Sequence, residues 1–315
     1  MVVATIWWLS TLVFGASSRE AESEPLRVME SSAEVLTKLA ISDSGDAMAA
    51  ASADGDVLVW RLPGRRLNVV GEATDSPATM LNWSPDGLLL CGDSSGLLRS
   101  WQQPELEESL NDSPRVAVTA CVFRQNLADK QLLLGLSDGR IVTIDSSETT
   151  LRDSSHRGVK AMLISKDRKT LVSAGSEGKV IWYDFKQDEV VGSAAGHETE
   201  IAALAWSPDG TQLVSADWNG ELRIWGAKNR KLVTEASQPD AVSALAWTEG
   251  RIVTGSWDGR IRVWNIESNQ LKLAFSIYTG QPIHDLVVES SGETAFTVSG
   301  DGSVREWNVT KPATN

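Results

Sequence analysis

The run Ser256-Trp-Asp-Gly-Arg-Ile-Arg-Val-Trp-Asn265 sets the pattern of the chain. An Asp-Gly pair, able to adopt the positive φ angles of a two-residue hairpin turn, is followed by alternating polar and apolar residues that end on a large aromatic. Ile252 and Val253 before the turn and Ile261 and Val263 after it are β-branched, so the pattern favours strands over helix. The same turn glycine returns at Gly55, Gly96, Gly139, Gly178, Gly220, Gly259 and Gly302, in steps of 39 to 43 residues. Five positions after each stands Trp60, Trp101, Ile144, Tyr183, Trp225, Trp264 or Trp307, an aromatic in six copies of seven.

Each copy reads as a small antiparallel meander. In the fifth, strands are expected over 202–207, 212–216, 221–225 and 231–235, with turns at Ser207-Pro-Asp-Gly210 and Asn219-Gly220. Ser84-Pro-Asp-Gly87 repeats the first of these turns, with Pro pre-set at one corner and Gly free to take the other. One meander cannot bury both faces of its sheet, but radial stacking lets neighbours cover each other, and closing the ring removes most exposed edges. A period near 41 with this Gly/Trp signature therefore predicts an all-β fold, a seven-bladed β-propeller of four-stranded antiparallel blades. The seventh copy ends at Trp307-Asn-Val309 with six residues left, too few for a fourth strand. Leu26-Arg-Val-Met-Glu-Ser31 resembles Leu232-Val-Thr-Glu-Ala-Ser237, the outer strand of the fifth copy, and is expected to complete the last blade and close the ring.

The copies resemble the WD-repeat family of β-propellers over residues 26 to about 309. A blade of that family often carries a Gly-His pair before its inner strand, a Ser or Thr on the second strand, an Asp in the turn and a Trp on the third. Gly196-His197, Ser215, Asn219 and Trp225 match these slots in the fifth copy, and Thr254, Asp258 and Trp264 match three of them in the sixth. The resemblance implies that these residues form a hydrogen-bonded network inside their blades. Ala50, Cys91 and Leu134 hold the hydroxyl slot of the first three copies, so packing has to carry those blades. The resemblance also implies a non-catalytic platform for other proteins or peptides.

The net charge of −13 and sequence pI near 4.8 argue against a phosphate-backbone surface, so no nucleic-acid partner is expected. The basic cluster Lys228-Asn-Arg-Lys231 reads as a solvated loop. Residues 1–16 carry no charged side chain and fit the apolar core of a secretory signal, with Ala16, Ser17 and Ser18 as a cleavage region. The run is too short to span a bilayer comfortably. The domain reading is a signal over 1–18, a polar linker over 19–25, the propeller over 26–309 and a short tail over 310–315. Export follows from it. An apolar arm packed on a cytoplasmic propeller and a short membrane anchor are the alternatives.

Catalytic patterns lose their force once placed on the repeats. Gly92-Asp-Ser-Ser-Gly96 and Gly135-Leu-Ser-Asp-Gly139 match the hydrolase nucleophile elbow, which requires a strand-to-helix turn, an oxyanion hole and a histidine. Here the same position is a hairpin in every copy, including copies without the serine. His156, His197 and His284 show no metal-ligand spacing, and His156 and His197 fall at or near the slot of the blade network. No metal or cofactor is expected. Cys91 and Cys121 read as buried thiols, an inter-blade disulfide being the alternative. Asn111-Asp-Ser113 and Asn308-Val-Thr310 fit the glycosylation pattern. Inner strands such as Lys38-Leu-Ala-Ile41, Met80-Leu-Asn-Trp83, Leu204-Ala-Trp206 and Leu245-Ala-Trp247 are mostly apolar. They disfavour the alternative of an extracytoplasmic ligand or glycan binder, or of a hydrolase or lyase acting at the axial mouth.

Trp218 and Trp257 directly precede the turn residue in consecutive copies, where the others have Ala53, Ser94, Ser137, Ser176 and Gly300. A hairpin tip does not require an indole. Two readings stand: anchors for an unidentified protein or peptide on the hairpin-tip face, or lids folded back over neighbouring loops.

Overall fold

The computed structural model describes residues 23–31, 33–62, 66–71, 76–102, 106–109, 115–125, 130–144 and 149–311. The apolar run 1–16, its cleavage region, the tripeptide Asn111-Asp-Ser113 and residues 312–315 lie outside them. No helix among the described residues is long and apolar enough to cross a membrane.

The described strands form seven four-stranded antiparallel sheets. Their innermost strands, from blade one to blade seven, are Leu36–Ile41, Ala78–Trp83, Val118–Gln125, Val159–Ile164, Ile201–Trp206, Val242–Thr248 and Ile283–Val288. The fifth blade runs Ile201–Trp206, Gln212–Asp217, Glu221–Gly226 and Leu232–Ser237, within two residues of the sequence expectation at each boundary. Its turn depends on Gly220, at φ +82°, where a Cβ would stand 2.3 Å from the carbonyl oxygen of Gln238.

Six blades are simple meanders, and the seventh is completed by the amino-terminal strand. Arg27–Glu30 pairs antiparallel with Ser303–Asn308, placing Arg27 opposite Glu306 and Glu30 opposite Ser303. The Leu26 N–H donates to the Glu306 carbonyl at 2.8 Å, and Ser31 Oγ donates to the Gly302 carbonyl at 2.7 Å. Met29 is buried in one cluster with Phe296, Val298 and Val304 of blade seven and with Leu36, Leu39 and Trp60 of blade one. The closure therefore rests on ladder hydrogen bonds and on apolar burial together.

The core lies between blades. Trp225 packs into the seam with blade four, beside Val172, Val180 and Trp182, and the two indoles meet edge to face with centroids 6.5 Å apart. Trp264 and Trp307 fill the next two seams in the same way. At the seam of blades three and four the slot holds Tyr183, which packs beside Leu133, Ile141 and Leu171. Its phenol turns to Asp188 and Arg152, and the adjacent Trp182 faces blade five. Cys91 and Cys121 are free and buried, so the inter-blade disulfide does not form. Burial pushes the Cys91 thiol up to about 11 and the Cys121 thiol up to about 12.

Candidate functional site

In blade five a relay of hydrogen bonds crosses the sheet. Trp225 Nε1 donates to Ser215 Oγ at 2.8 Å, and Ser215 Oγ lies 2.6 Å from His197 Nε2. His197 Nδ1 lies 3.0 Å from Asp217 Oδ2, so the network assigns the imidazole proton to Nδ1. The acid is Asp217 and not Asn219, a correction to the sequence assignment. At the end of its strand, Asp217 reaches the imidazole and also accepts the backbone N–H groups of Asn219 and Glu221, at 3.0 and 2.8 Å. Asn219 sits out in the turn and offers the network only its main chain.

Blade six shows the same displacement. Trp264 Nε1 donates to Thr254 Oγ1 at 3.2 Å, and Thr254 Oγ1 donates to Gln238 Oε1 at 2.9 Å, so Gln238 stands where blade five has its histidine. Asp258 is outside this network. It pairs with Arg262 across the turn. In blade four, His156 bonds Ser173 at 2.9 Å and reaches Glu177. In blade two, with Cys91 in the hydroxyl slot, Trp101 Nε1 is buried without an acceptor. Ligand atoms of His197, Asp217 and Glu221 lie within 4.8 Å of one another. Both ring nitrogens of His197 are already engaged, and Arg223 sits 3.2 Å from Glu221, so the charge there is met by protein groups.

The axial mouth is built by a repeated backbone irregularity. Each innermost strand breaks register once, at Thr37, Thr79, Thr119, Lys160, Ala202, Ser243 and His284. Such a bulge re-aims its side chain, and all seven residues line one cavity of about 370 Å³. Thr79 Oγ1 donates to the Val118 carbonyl of blade three at 2.7 Å; Thr37 and Thr119 make the same bond to the blade after theirs. His284 Nδ1 donates to the Leu36 carbonyl at 2.8 Å across the closing seam. The remaining arc is tied otherwise: Lys160 pairs with Glu200 at 3.0 Å, Ala202 has no polar side chain, and Ser243 bonds Gly255 of its own blade at 3.2 Å.

Trp218 and Trp257 lie over this arc. Their ring centroids are 5.9 Å apart with planes at 32°, and Trp257 lies 5.1 Å from the His284 ring. The indoles are 44% and 39% exposed. They neither fold back over separate loops nor stand apart on the rim, but lean together into a three-ring row whose far end is fixed by the His284 bond. Further in, Asp285 is held by the N–H groups of Leu39 and Leu286, at 2.9 and 2.8 Å. Burial pushes its carboxyl above the usual range, against the attraction of Lys38. With these oxygens and the His284 Nδ1 proton engaged, the mouth is suited to holding a side chain by ring contact. The two Gly-x-Ser-x-Gly matches are hairpin turns, with Gly96 and Gly139 at φ +89° and +90°.

Two family models match the chain: the WD domain, G-beta repeat, over residues 23–61, and the anaphase-promoting complex subunit 4 WD40 domain over 165–250. The chain is a WD-repeat β-propeller. It is 27% identical over 283 residues to actin-interacting protein 1 of Drosophila melanogaster, covering 85% of this chain and 46% of that protein. It is 28% identical over 215 residues to WD repeat-containing protein 1 of Xenopus tropicalis, covering 50% of this chain and 35% of the relative. This WD-repeat propeller thus spans less than half the length of these relatives. Its fold is similar to a chain of a mitotic checkpoint complex crystal structure, with a TM-score of 0.81 at 19% identity, covering 95% of this chain and 100% of the other.

Proposed function

We propose that this WD-repeat propeller is a non-catalytic interaction platform whose partner, a protein or peptide, docks over Trp218 and Trp257 at the axial mouth. The observation that carries the reading is two adjacent, exposed indoles at tips where the other blades have small residues. Its relatives support the class of function, one of them being named for its interaction with actin. Indoles already stacked on each other and on a fixed imidazole lose little further freedom on binding, so their apolar area counts toward affinity.

The test is Trp218→Ala/Trp257→Ala. A docking role predicts an unchanged Tm and loss of captured partner, each truncation costing about 2 kcal/mol of binding. A variant that melts several degrees lower while still capturing the partner would assign the pair to packing instead.

A further inference from the structure

The end of the propeller opposite the indoles carries a second cavity. Successive turns of an antiparallel meander lie at alternate ends, so the turns at 165–170, 207–211 and 226–231 are far from the tips holding Trp218 and Trp257. A cavity of about 710 Å³ opens between these turns, at the seam of blades four and five. Three of its lining residues carry a buried N–H without an acceptor: Trp182 Nε1, Trp206 Nε1 and Arg230 Nε. Trp182 is only 1% exposed. Buried donors are nearly always paired, so three along one cavity mark a place where an acceptor belongs.

The charges point to the kind of acceptor. Lys166, Lys228 and Arg230 face the cavity with two carboxylates, Asp167 and Asp209, on a chain whose net charge is −13. Both carboxylates are engaged within their own turns: Asp209 accepts from Ser207 at 2.6 Å and Thr211 at 2.8 Å, and Asp167 from Ser165 at 2.6 Å. Arg230, at φ +58°, is held across the seam by a 2.5 Å bond from its Nη1 to the Val191 carbonyl. Its side chain runs so close to Gly192 that a Cβ there would meet Arg230 Cδ at 2.5 Å. The basic cluster read from the sequence as a solvated loop therefore places two members, Lys228 and the half-buried Arg230, in the wall of a cavity.

We propose that this cavity binds a small oxyanion compound, a carboxylate or a phosphate. Its oxygens accept from Arg230 Nε and the indole N–H groups, and its charge is balanced by Lys228 and Lys166. The site is independent of the platform reading.

The experiment titrates the full chain with inorganic phosphate and with succinate, each against sodium chloride at equal ionic strength, following Tm and tryptophan emission. A saturable rise in Tm that chloride does not produce is expected, and the anion that produces it identifies the ligand class. Lys228→Gln should weaken the response about tenfold. Trp206→Phe keeps an aromatic ring and removes the donor; measured against its own ligand-free Tm, it should also show a weaker response. Trp218→Ala/Trp257→Ala should leave the response intact, which separates this site from the one at the mouth. A response equal to that of chloride, or one indifferent to both Lys228→Gln and Trp206→Phe, overturns the proposal and leaves the three donors merely hydrated.

Discussion

At the residue scale, Asp217 decides how blade five responds to acid. Burial pushes its carboxyl up, but hydrogen bonds from His197 and from the N–H groups of Glu221 and Asn219 outweigh this and hold it below the usual range. A carboxyl with a folded value below its unfolded value of about 3.9 contributes stability that is present above that pH and lost as pH falls through the folded value. Asp217→Asn should therefore lower stability by about 1–3 kcal/mol near neutral pH, with the gap to the parent closing in strong acid. Thermal melts across the acid range check it. The orphaned Trp101 indole gives a prediction of opposite sign. Cys91→Thr supplies the hydroxyl that Thr254 and Thr297 give their own tryptophans, at 3.2 and 2.8 Å. It should stabilise the chain by about 1 kcal/mol, a gain that vanishes in a Trp101→Phe background.

The residue scale also shows where sequence reading stopped. His197, Ser215 and Trp225 were legible because the family motif fixes their spacing, whereas the motif put the acid slot at Asn219, two residues past the carboxylate that meets the imidazole. In blade five the side chain that meets the imidazole comes from the strand end, at Asp217. Gln238 went unseen because an amide replaces an imidazole there with no motif to mark the exchange.

At the element scale, the strand Arg27–Glu30 is the fastening of the ring. Deletion through Ser18 should leave Tm nearly unchanged, whereas deletion through Ser32 removes the strand, exposes the edge of Ser303–Asn308 and uncovers the cluster around Met29. A marked fall in Tm confined to the longer deletion is the expected result. The strands were readable from alternation, and this closure from the likeness of residues 26–31 to the outer strand of the fifth copy. The axial mouth was not, because its seven lining side chains sit at bulges, and a bulge is a departure from the alternation by which strands are recognised. The row formed by Trp218, Trp257 and His284 was hidden for the same reason: His284 turns to meet Trp257 only through the bulge in its strand.

At the scale of the whole molecule, no blade owns its core, since the buried clusters bridge neighbouring blades. A closed ring of shared interfaces should open as a unit, unlike a linear array of repeats, which can fray from either end. The two thiols report on this. Cys91 and Cys121 stand on different blades, buried and held protonated far above neutral pH. Both should resist a thiol reagent in the native state and then label at one common rate, equal to the unfolding rate. Two separate rates would show that blades two and three open independently.

The pairing of the first described strand with the last has a further consequence, for biosynthesis. Ser31 and Gly302 touch although 271 positions separate them. Until the carboxy-terminal hairpin has left the ribosome, the opening strand has no mate, and the blades already made present an open seam to the surrounding solution. Its most vulnerable interval is therefore the one just before that hairpin emerges, when nearly all of the sheet exists but its two extremities have yet to meet.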